Sequence, residues 1–373
     1  MGPGAPWLAN VSPAARKIRN VNISPLRELH ESLGARLRPA EAGGDVLTYG
    51  DVPAEVAAGR DGALLFDRTT RGLISITGGE STDFLHRILA NEIKVLEAGE
   101  GNRNMLLTGK GKVVQLFDLA YLGEGYLLST APGAAQALKD ALDMYLFAED
   151  VALGDESESY APIEMVGPRA LSILAEVLED APDERGPDHT SALATFGGSV
   201  VRLVPLQVAG HPGWRVEAGP GKVAGLWAAL RDAGAVAGGL VAFDSLRADT
   251  VTGEVGRDIS ENVYPQEARL DDAFSLTKGC YIGQEVVAKI DTYGGLNKRL
   301  FRLRVSHDDP VAPGTRLMRD VNGEARDLGI VTTWAYSFAE DGGVVLGYVK
   351  RKHQEPGTEF LLEGTDATAV LQE

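Results

Sequence analysis

The only cysteine of this 373-residue chain, Cys280, lies in the stretch KGCYIGQEVVAKI, which spans residues 278–290. Gly279 and Gly283 flank the cysteine, and glycine permits tight turns and close backbone approaches that other residues resist. The residues after Gly283 are compatible with a helix, so Cys280 is predicted to lie just before a helix N-terminus. The positive end of that helix and the nearby Lys278 would both favour a thiolate. The stretch therefore predicts a nucleophilic or redox-active thiol.

A lone cysteine also has simpler explanations. One thiol cannot form an intramolecular disulfide, and it cannot supply the four thiolates of an ordinary iron–sulfur cluster. Cys280 is also compatible with a small buried side chain that does no chemistry. A cysteine protease would need a histidine beside it, and no metal site is predicted because the histidines lack metal-ligand spacing. The histidines stand at positions 30, 86, 189, 211, 307 and 353.

The sequence has no motif for binding a phosphate or a dinucleotide. The stretch TGKGK at residues 108–112 lacks the G-x-x-x-x-G-K-[ST] spacing that wraps successive amides around a phosphate, so a hairpin turn is predicted instead. No G-x-G-x-x-G opens a helix after a strand, which leaves a dinucleotide-binding fold without support.

The composition indicates an acidic protein of the cytoplasm. Lysine and arginine total 36 against 53 aspartates and glutamates, a net charge of −17, so bulk nucleic-acid binding is not expected. Neither a secretory signal nor a membrane span is predicted, because no apolar run is long enough. Residues 278–304 nevertheless hold six basic and two acidic residues. This basic segment is either a solvated face or a landing site for an anionic ligand.

The elements that must position these residues predict an α+β chain. Short apolar runs alternate with turn residues from about 45 to 130, and a second α+β block runs from Ile163 to about Leu240. From Leu300 onward the runs are β-like and no helix is predicted, which indicates a small all-β domain. Helices are predicted within residues 24–37, 81–91, 133–148, 170–180 and 222–234.

The motif K-G-C-Y-x-G-Q-E at residues 278–285 resembles the signature of the YgfZ family, folate-binding proteins related to the T-protein (aminomethyltransferase) of the glycine cleavage system. Further segments resemble the T-protein superfamily in the same order, among them ALLFDRTTRGLISITGGESTDFLHRILAN, GGLVAFDSLRADT and GYVKRKHQEPGTEF. The resemblance covers roughly residues 25–370. It implies an α+β fold of T-protein type, with two α+β parts around a central cleft and a C-terminal β-barrel.

The resemblance also implies a division into domains. The expected parts are an N-terminal tail and helix, a folate-cleft α+β domain made of two segments, a second α+β domain and a C-terminal β-barrel. Their expected bounds are residues 1–44, residues 45–160 with 241–298, residues 161–240, and residues 299–373.

The resemblance implies a site for tetrahydrofolate or a one-carbon derivative in the central cleft. Asp249, in DSLRADT, stands where T-proteins have a glutamate that hydrogen-bonds the pteridine ring, and a carboxylate can accept two adjacent N–H groups. The alternative is that Asp249 is a surface or capping acid. Cys280 and Lys278 are the implied catalytic residues. The implied cofactor-binding residues are Asp249, Arg247, Tyr281, Gln284 and Glu285.

A second position, at residues 115–116, distinguishes this sequence from the T-proteins. T-proteins have paired aspartates after a glycine-rich turn, whereas the stretch GKGKVVQLFDL offers Gln115 and Leu116, with Asp118 further along the strand. Ordinary aminomethyl transfer is therefore in doubt.

Three functions remain open at this point. The first is a YgfZ-like folate-binding protein that supports iron–sulfur cluster assembly or repair, including in tRNA-modifying enzymes, with iron–sulfur enzymes or assembly proteins as partners. The second is a folate-dependent aminomethyltransferase or demethylase. The third is a non-catalytic, folate-responsive scaffold in which Cys280 is structural.

Overall fold

The computed structural model describes residues 23–39 and 43–372, so the predicted N-terminal tail lies outside the described residues. The helices are α1 (Arg27–Ser32), α2 (Val52–Asp61), α3 (Ser81–Ile88), α4 (Ala135–Asp143), α5 (Ala170–Val177), α6 (Pro220–Asp232), α7 (Leu240–Asp249) and α8 (Gln284–Tyr293). The strands of the first half are β1 (Arg36–Leu37), β2 (Val46–Thr48), β3 (Leu64–Asp67), β4 (Arg71–Thr77), β5 (Gly101–Leu107), β6 (Val113–Tyr121), β7 (Gly125–Pro132), β8 (Ala152–Asp155) and β9 (Ala161–Val166). Those of the second half are β10 (Ala192–Phe196), β11 (Ser199–Val208), β12 (His211–Ala218), β13 (Val236–Gly238), β14 (Lys298–Val305), β15 (Arg316–Val321), β16 (Glu324–Ser337), β17 (Gly342–Lys350), β18 (Glu359–Leu362) and β19 (Thr368–Leu371).

The first large sheet has five antiparallel strands in the order β5-β6-β7-β4-β8. Helix α3 buries Ser81, Phe84, Leu85 and Ile88, a spacing that places them on one face of a helix. Phe84, Leu85 and Ile88 pack with residues of β4, β6 and β7 and with α4 in one core. This packing covers one face of β6 and leaves its other face to the rest of the molecule.

The second large sheet has six strands in the order β10-β11-β12-β9-β3-β13, and only the β13–β3 pair is parallel. Its core joins Trp214 of β12 to Trp227 of α6 and also includes residues of α5. Strand β3 comes from the segment 45–160, which was expected to form a different domain. The predicted boundaries therefore separate strands of one sheet, and the division into domains stays a prediction.

The C-terminal strands form a closed barrel in the order β14-β17-β16-β15-β18-β19. In β17 every residue from Gly342 to Val349 is buried, which explains its nearly continuous apolar sequence. The predicted all-β domain is confirmed, and so is the fold class, a mixed α+β chain with a C-terminal β-barrel. Within the described residues, 23–39 and 43–372, no helix is long and apolar enough to span a bilayer.

Helix α1 is shorter than the helix predicted for residues 24–37. The Ser24 hydroxyl donates a hydrogen bond to Asp67 at 2.5 Å instead of capping a long helix. Gly34, at a φ of 77°, adopts the left-handed conformation that ends helices, and a short strand follows. His30 anchors α1 to the second sheet, because its Nε2 lies 2.9 Å from Asp67 Oδ2 and its Nδ1 lies 2.7 Å from the Tyr49 hydroxyl.

Candidate functional site

The Cys280 loop, residues 278–283, presents its cysteine to solvent just ahead of α8. Gly279 and Gly283 have φ values of 105° and 82°, so both adopt the left-handed backbone that favours glycine. Gly283 is the N-cap of α8, which begins at Gln284. The predicted position of Cys280 before a helix N-terminus is confirmed, and the buried-cysteine alternative is not.

The TGKGK stretch forms the turn between β5 and β6 and packs against this loop. The Thr108 N–H donates to the Lys112 carbonyl at 2.9 Å, and the Gly111 N–H donates to the Thr108 carbonyl at 2.8 Å. The predicted hairpin turn is therefore confirmed. A Cβ atom at Gly283 would lie 2.6 Å from the Thr108 oxygen and 3.0 Å from the Gly111 Cα. Only glycine permits this approach.

We expect Gly283→Ala to lower the free energy of unfolding by about 2 kcal/mol or more, because it adds a clash to a strained backbone. Gly279→Ala is the matched control, since its φ is also positive but a Cβ there meets nothing within 4 Å. Denaturant titration of the purified variants measures both effects. Equal losses for the two variants would mean that the turn contact contributes nothing.

Lys278 is held against α3 by a reciprocal pair of contacts. Its Nζ donates to the His86 carbonyl at 2.5 Å, and His86 Nε2 lies 3.1 Å from the Lys278 carbonyl oxygen. The ammonium also lies 5.4 Å from the centroid of the Tyr281 ring. Burial lowers the pKa of Lys278 to about 8, with Glu92 opposing the shift. The loop thus carries an amine that titrates near neutrality two residues from an exposed thiol.

His86 and Tyr281 also respond to burial. The pKa of His86 is lowered by burial and then by Lys278, so the imidazole is neutral at physiological pH. Tyr281 is 7% exposed, and its hydroxyl has no hydrogen-bond partner among the described residues. Burial raises the pKa of Tyr281 to about 12. Both side chains therefore surround the Lys278 ammonium as neutral groups.

We expect Lys278 to be acetylated by acetic anhydride with a half-maximal rate near pH 8. An amine reacts only when deprotonated, so a lysine with the unperturbed value of about 10.4 reacts two to three pH units higher. Quantitative mass spectrometry of the peptides follows every lysine in one experiment, and the exposed Lys289 serves as the internal comparison. A Lys278 profile that coincides with that of Lys289 would contradict the depressed pKa.

The structure brings Cys280, Lys278, Tyr281, Gln284 and Glu285 together in one loop and the first turn of α8. Gln284 is partly exposed, whereas the Glu285 side chain is 81% exposed and pairs with Lys289 at 2.5 Å. Such exposed pairs contribute little to stability. Whether any of these side chains contacts a cofactor stays a prediction.

Arg247 occupies a different place, at the contact between α7 and the barrel. Arg247 is fully buried, and its Nη1 donates a hydrogen bond to Asp258 at 2.6 Å. Its Nε donates to Asp244 at 2.7 Å, and its Nη2 donates to the Thr333 hydroxyl at 2.8 Å. A ligand cannot reach this guanidinium, so Arg247 holds α7 to the barrel and does not match its predicted cofactor-binding role.

Asp249 also joins elements of the fold. One carboxylate oxygen accepts from Arg60 of α2. The other accepts from Arg302 of β14 at 3.1 Å and from the Ser337 hydroxyl of β16 at 2.7 Å. The partners come from α2 and the barrel, whereas the Cys280 loop contacts α3 and the turn at 108–112. Three hydrogen bonds from its own chain already occupy this carboxylate, and the pteridine contact stays a prediction.

The basic segment 278–304 is dispersed in the folded chain. Arg302 pairs with Glu340 at 2.5 Å in addition to Asp249, and Arg299 lies 3.6 Å from Asp271. Arg304 donates to the Asp341 carbonyl at 3.0 Å. These side chains therefore do not form the predicted landing site for an anion.

The residues that line a cleft between the two large sheets were not among the predicted site residues. We define this inter-sheet cleft by side chains of β6 and β7 facing side chains of β11 and β12, with one loop histidine. They are Asp118 and Ser129 on one side, Arg202, Arg215 and Glu217 on the other, and His189. Arg215 and Asp118 pair across the cleft, and the space left beside them has room for about one water molecule.

Asp118 is the acceptor at the centre of the inter-sheet cleft. Its Oδ2 accepts from Arg215 at 2.6 Å and from Arg71 at 3.4 Å. Burial alone would raise the pKa of Asp118, but Arg215, His189 and Arg71 outweigh burial and hold this pKa well below its usual range. Its Oδ1 faces His189 Nδ1 at 3.9 Å, which is too long for a hydrogen bond. That oxygen accepts no hydrogen bond within the described residues.

His189 lies beside the Asp118 carboxylate. Its Nδ1 is buried without a hydrogen-bond partner in the described part of the chain. Burial lowers the pKa of His189, against the pull of Asp118, so the ring is neutral at physiological pH. An ionised carboxylate and a neutral imidazole thus face the same space.

Strand periodicity relates Asp118 to the position that the resemblance made decisive. Asp118 and Leu116 are two residues apart on β6, so their side chains lie on the same face and about 7 Å apart. Gln115 lies on the opposite face with Phe117. Alternation along QLFDL was the sequence signal that could have identified Asp118, but the salt bridge to Arg215 was not visible in it.

Comparisons with known proteins agree with this fold. The family model described as the GCVT N-terminal domain matches residues 26–278. A putative transferase, At1g60990, chloroplastic, of Arabidopsis thaliana is 25% identical over 315 residues, which are 84% of this chain and 71% of the relative. An aminomethyltransferase of Saccharopolyspora erythraea is 29% identical over 346 residues, 91% of this chain and 93% of the relative. The crystal structure of the glycine cleavage system aminomethyltransferase T from Bartonella henselae superposes with a TM-score of 0.83 at 24% identity, covering 95% of this chain and 97% of that one.

Proposed function

This chain belongs to the family of the GCVT N-terminal domain, and on that premise we propose that it is a YgfZ-like, folate-binding protein that works through Cys280. Its role is to support the assembly or repair of iron–sulfur clusters, including those of tRNA-modifying enzymes. The observation that carries the proposal is the exposed thiol in the KGCYIGQE loop. Gln115 and Leu116, in place of paired aspartates, separate it from ordinary aminomethyl transfer.

A single thiol limits what the protein does with a cluster. Cys280 supplies one ligand at most, so the remaining ligands belong to a partner protein or a small thiol. The left-handed glycines on both sides of the cysteine shape a turn that exposes Cys280 while the loop stays packed against the protein. Lys278, at the base of this loop, brings a positive charge. These features suit a transient contact with a client protein.

The polar residues of the inter-sheet cleft fit a reduced folate in their chemistry. The cleft as it stands has room for about one water molecule, so the two sheets must move apart to admit the ligand. Asp118 Oδ1 can accept an N–H group of the pteridine, while Ser129 and His189 provide further polar contacts beside it. The Asp118 carboxylate stays ionised, so such a hydrogen bond is charge-assisted. Asp249 and Arg247 suit this role less well, because the Asp249 carboxylate accepts three hydrogen bonds within the chain and Arg247 is fully buried. Tetrahydrofolate, when bound, supplies a carrier for one-carbon units.

We expect tetrahydrofolate to bind the native protein and to bind Asp118→Asn about tenfold or more weakly, because a charge-assisted hydrogen bond is worth about 1.5–3 kcal/mol. Asp249→Asn is the control and should bind as the native protein does. Calorimetric titration measures all three. No saturable binding by the native protein would overturn the folate part of the proposal, and a loss confined to Asp249→Asn would move the site away from the inter-sheet cleft.

Aminomethyl transfer is the second candidate function. It is favoured by the relatives that bear this name and by Asp118, which lies on the same face of β6 as Leu116. An assay with aminomethylated carrier protein and tetrahydrofolate tests it directly. Turnover that requires Asp118 but not Cys280 would support this candidate over the YgfZ-like function.

A further inference from the structure

The barrel topology gathers positive charges that are far apart in the sequence. Neighbouring strands β14, β17, β16 and β15 bring them to one end of the barrel, next to the single turn of 3-10 helix that follows β17. We call this surface the barrel cationic band. Its members are Lys298, Arg319, Arg326, Lys350, Arg351 and Lys352.

Like charges face each other within the band. Lys298 is the direct cross-strand partner of Lys350, and Arg319 is the partner of Arg326. Directly opposed like charges destabilise a sheet. The pKa of the neighbouring His353 is lowered first by burial and then by Arg319 and other nearby cations. The fold therefore retains an electrostatic cost at this place.

The chain's own carboxylates leave much of this charge unbalanced. Arg326 pairs with Glu324 at 3.1 Å, and Lys350 donates to the Asp327 carbonyl at 2.6 Å. Five members form no ion pair within 4 Å of the described carboxylates, and four of these five are exposed. The exposed four are Arg319, Lys350, Arg351 and Lys352. In a chain of net charge −17, where acids outnumber bases, unpaired cations at one place indicate an external anionic partner.

The band lies at the end of α8 opposite the Cys280 loop. The Arg351 N–H donates to the Asn297 carbonyl at 2.9 Å. Arg351 Nη2 lies 3.6 Å from the position of a Cβ on Gly294, the C-cap of α8. Tyr293, the last residue of α8, is 80% exposed. A ten-residue helix is about 15 Å long, so the band and Cys280 are separated by about the length of a short peptide.

We propose that the barrel cationic band docks a carboxylate-rich segment of a partner protein. Four adjacent strands span about 14 Å, which matches an extended segment of about four residues. Arginine guanidinium groups bind carboxylates in bidentate pairs, and the band offers three arginines. A longer polyanion, such as a nucleic acid, would continue onto a surface whose net charge is negative. A partner held there reaches Cys280 only if it extends about 15 Å along α8, and this inference stands even if folate binding fails.

The test uses a fluorescein-labelled hexaglutamate peptide and anisotropy at low and physiological salt. We expect the native protein to bind the peptide in a salt-dependent way, and the triple variant Arg319→Glu, Arg351→Glu, Lys352→Glu to bind at least about tenfold more weakly. A matched triple reversal of exposed cations elsewhere, at Lys110, Arg169 and Lys222, controls for net charge and should bind as the native protein does.

Three results would overturn the proposal. They are an absence of peptide binding by the native protein at low salt, an equal loss in the control triple variant, and tighter binding of a transfer RNA than of the peptide at the band. Arg351 contacts the end of α8, so the double variant Arg319→Glu, Lys352→Glu repeats the test without touching the helix. Circular dichroism melting of every variant checks that the fold is retained.

Discussion

Cys280→Ser is expected to abolish the proposed support of iron–sulfur enzymes, while the free energy of unfolding of the protein stays within about 0.5 kcal/mol of the native value. The thiol is exposed and free, so its loss removes no packing. A serine hydroxyl is neither a thiolate nucleophile nor a cluster ligand. The variant therefore separates chemistry at this position from a purely structural role.

The measurement is complementation in cells that lack the protein. Thiolated tRNA nucleosides, quantified by mass spectrometry, report the activity of iron–sulfur tRNA-modifying enzymes. Thr277→Ala, at an exposed position of the preceding segment, is the matched control and should restore the nucleosides fully. Full restoration by Cys280→Ser would contradict the proposed chemistry and favour a folate-responsive scaffold.

Asp258→Ala is expected to lower the free energy of unfolding by about 3–5 kcal/mol, which is the usual cost of removing one partner from a buried ion pair. Asp258 is 2% exposed and accepts from Arg247 Nη1 at 2.6 Å and from the Thr333 hydroxyl at 2.8 Å. The Glu254 N–H donates to the same carboxylate at 3.0 Å. The substitution leaves a buried guanidinium between α7 and the barrel without its nearest counter-charge.

Denaturant titration measures this loss. Asp271→Ala is the control, because Asp271 is exposed and its ion pair with Arg299 is long, at 3.6 Å. We expect the control to change stability by less than about 1 kcal/mol. The double variant Arg247→Met, Asp258→Ala should recover part of the loss, since it removes both buried charges. A loss for Asp258→Ala no larger than that for Asp271→Ala would show that the ion pair does not hold the barrel to α7.

The sequence predicted the elements whose signals are local. The barrel was recognised from runs of β-forming residues between glycines and prolines, and the Cys280 loop from two glycines before a helix-compatible stretch. Helix α7 was not predicted, because its apolar residues face both α2 and the barrel and leave no single apolar stripe. Helix α1 was predicted too long, because Gly34 and the Ser24 contact with Asp67 were invisible in the leucine spacing.

The surroundings of the polar site residues depend on contacts over long sequence distances. Asp249 looked available because its partner Arg60 lies 189 positions away. The sequence shows that Asp118 follows Leu116 on the same strand, but it does not show what surrounds Asp118. Its main partner, Arg215, lies 97 positions further along the chain. Short-range patterns therefore identified the loop that carries the thiol, whereas the polar groups of the inter-sheet cleft could only be found from the folded chain.

The topology of the six-stranded sheet also sets an order of events during synthesis. Strand β3 emerges from the ribosome about 100 residues before β9, its first neighbour, which corresponds to roughly 5–20 s at 5–20 residues per second. The five-stranded sheet, whose strands end at Asp155, can close during that interval. The six-stranded sheet must wait for Gly238, and the barrel for Leu371. The nascent chain therefore holds the apolar strand LLFD unpaired longer than any later strand of its sheet, which exposes this segment to wrong pairing during synthesis.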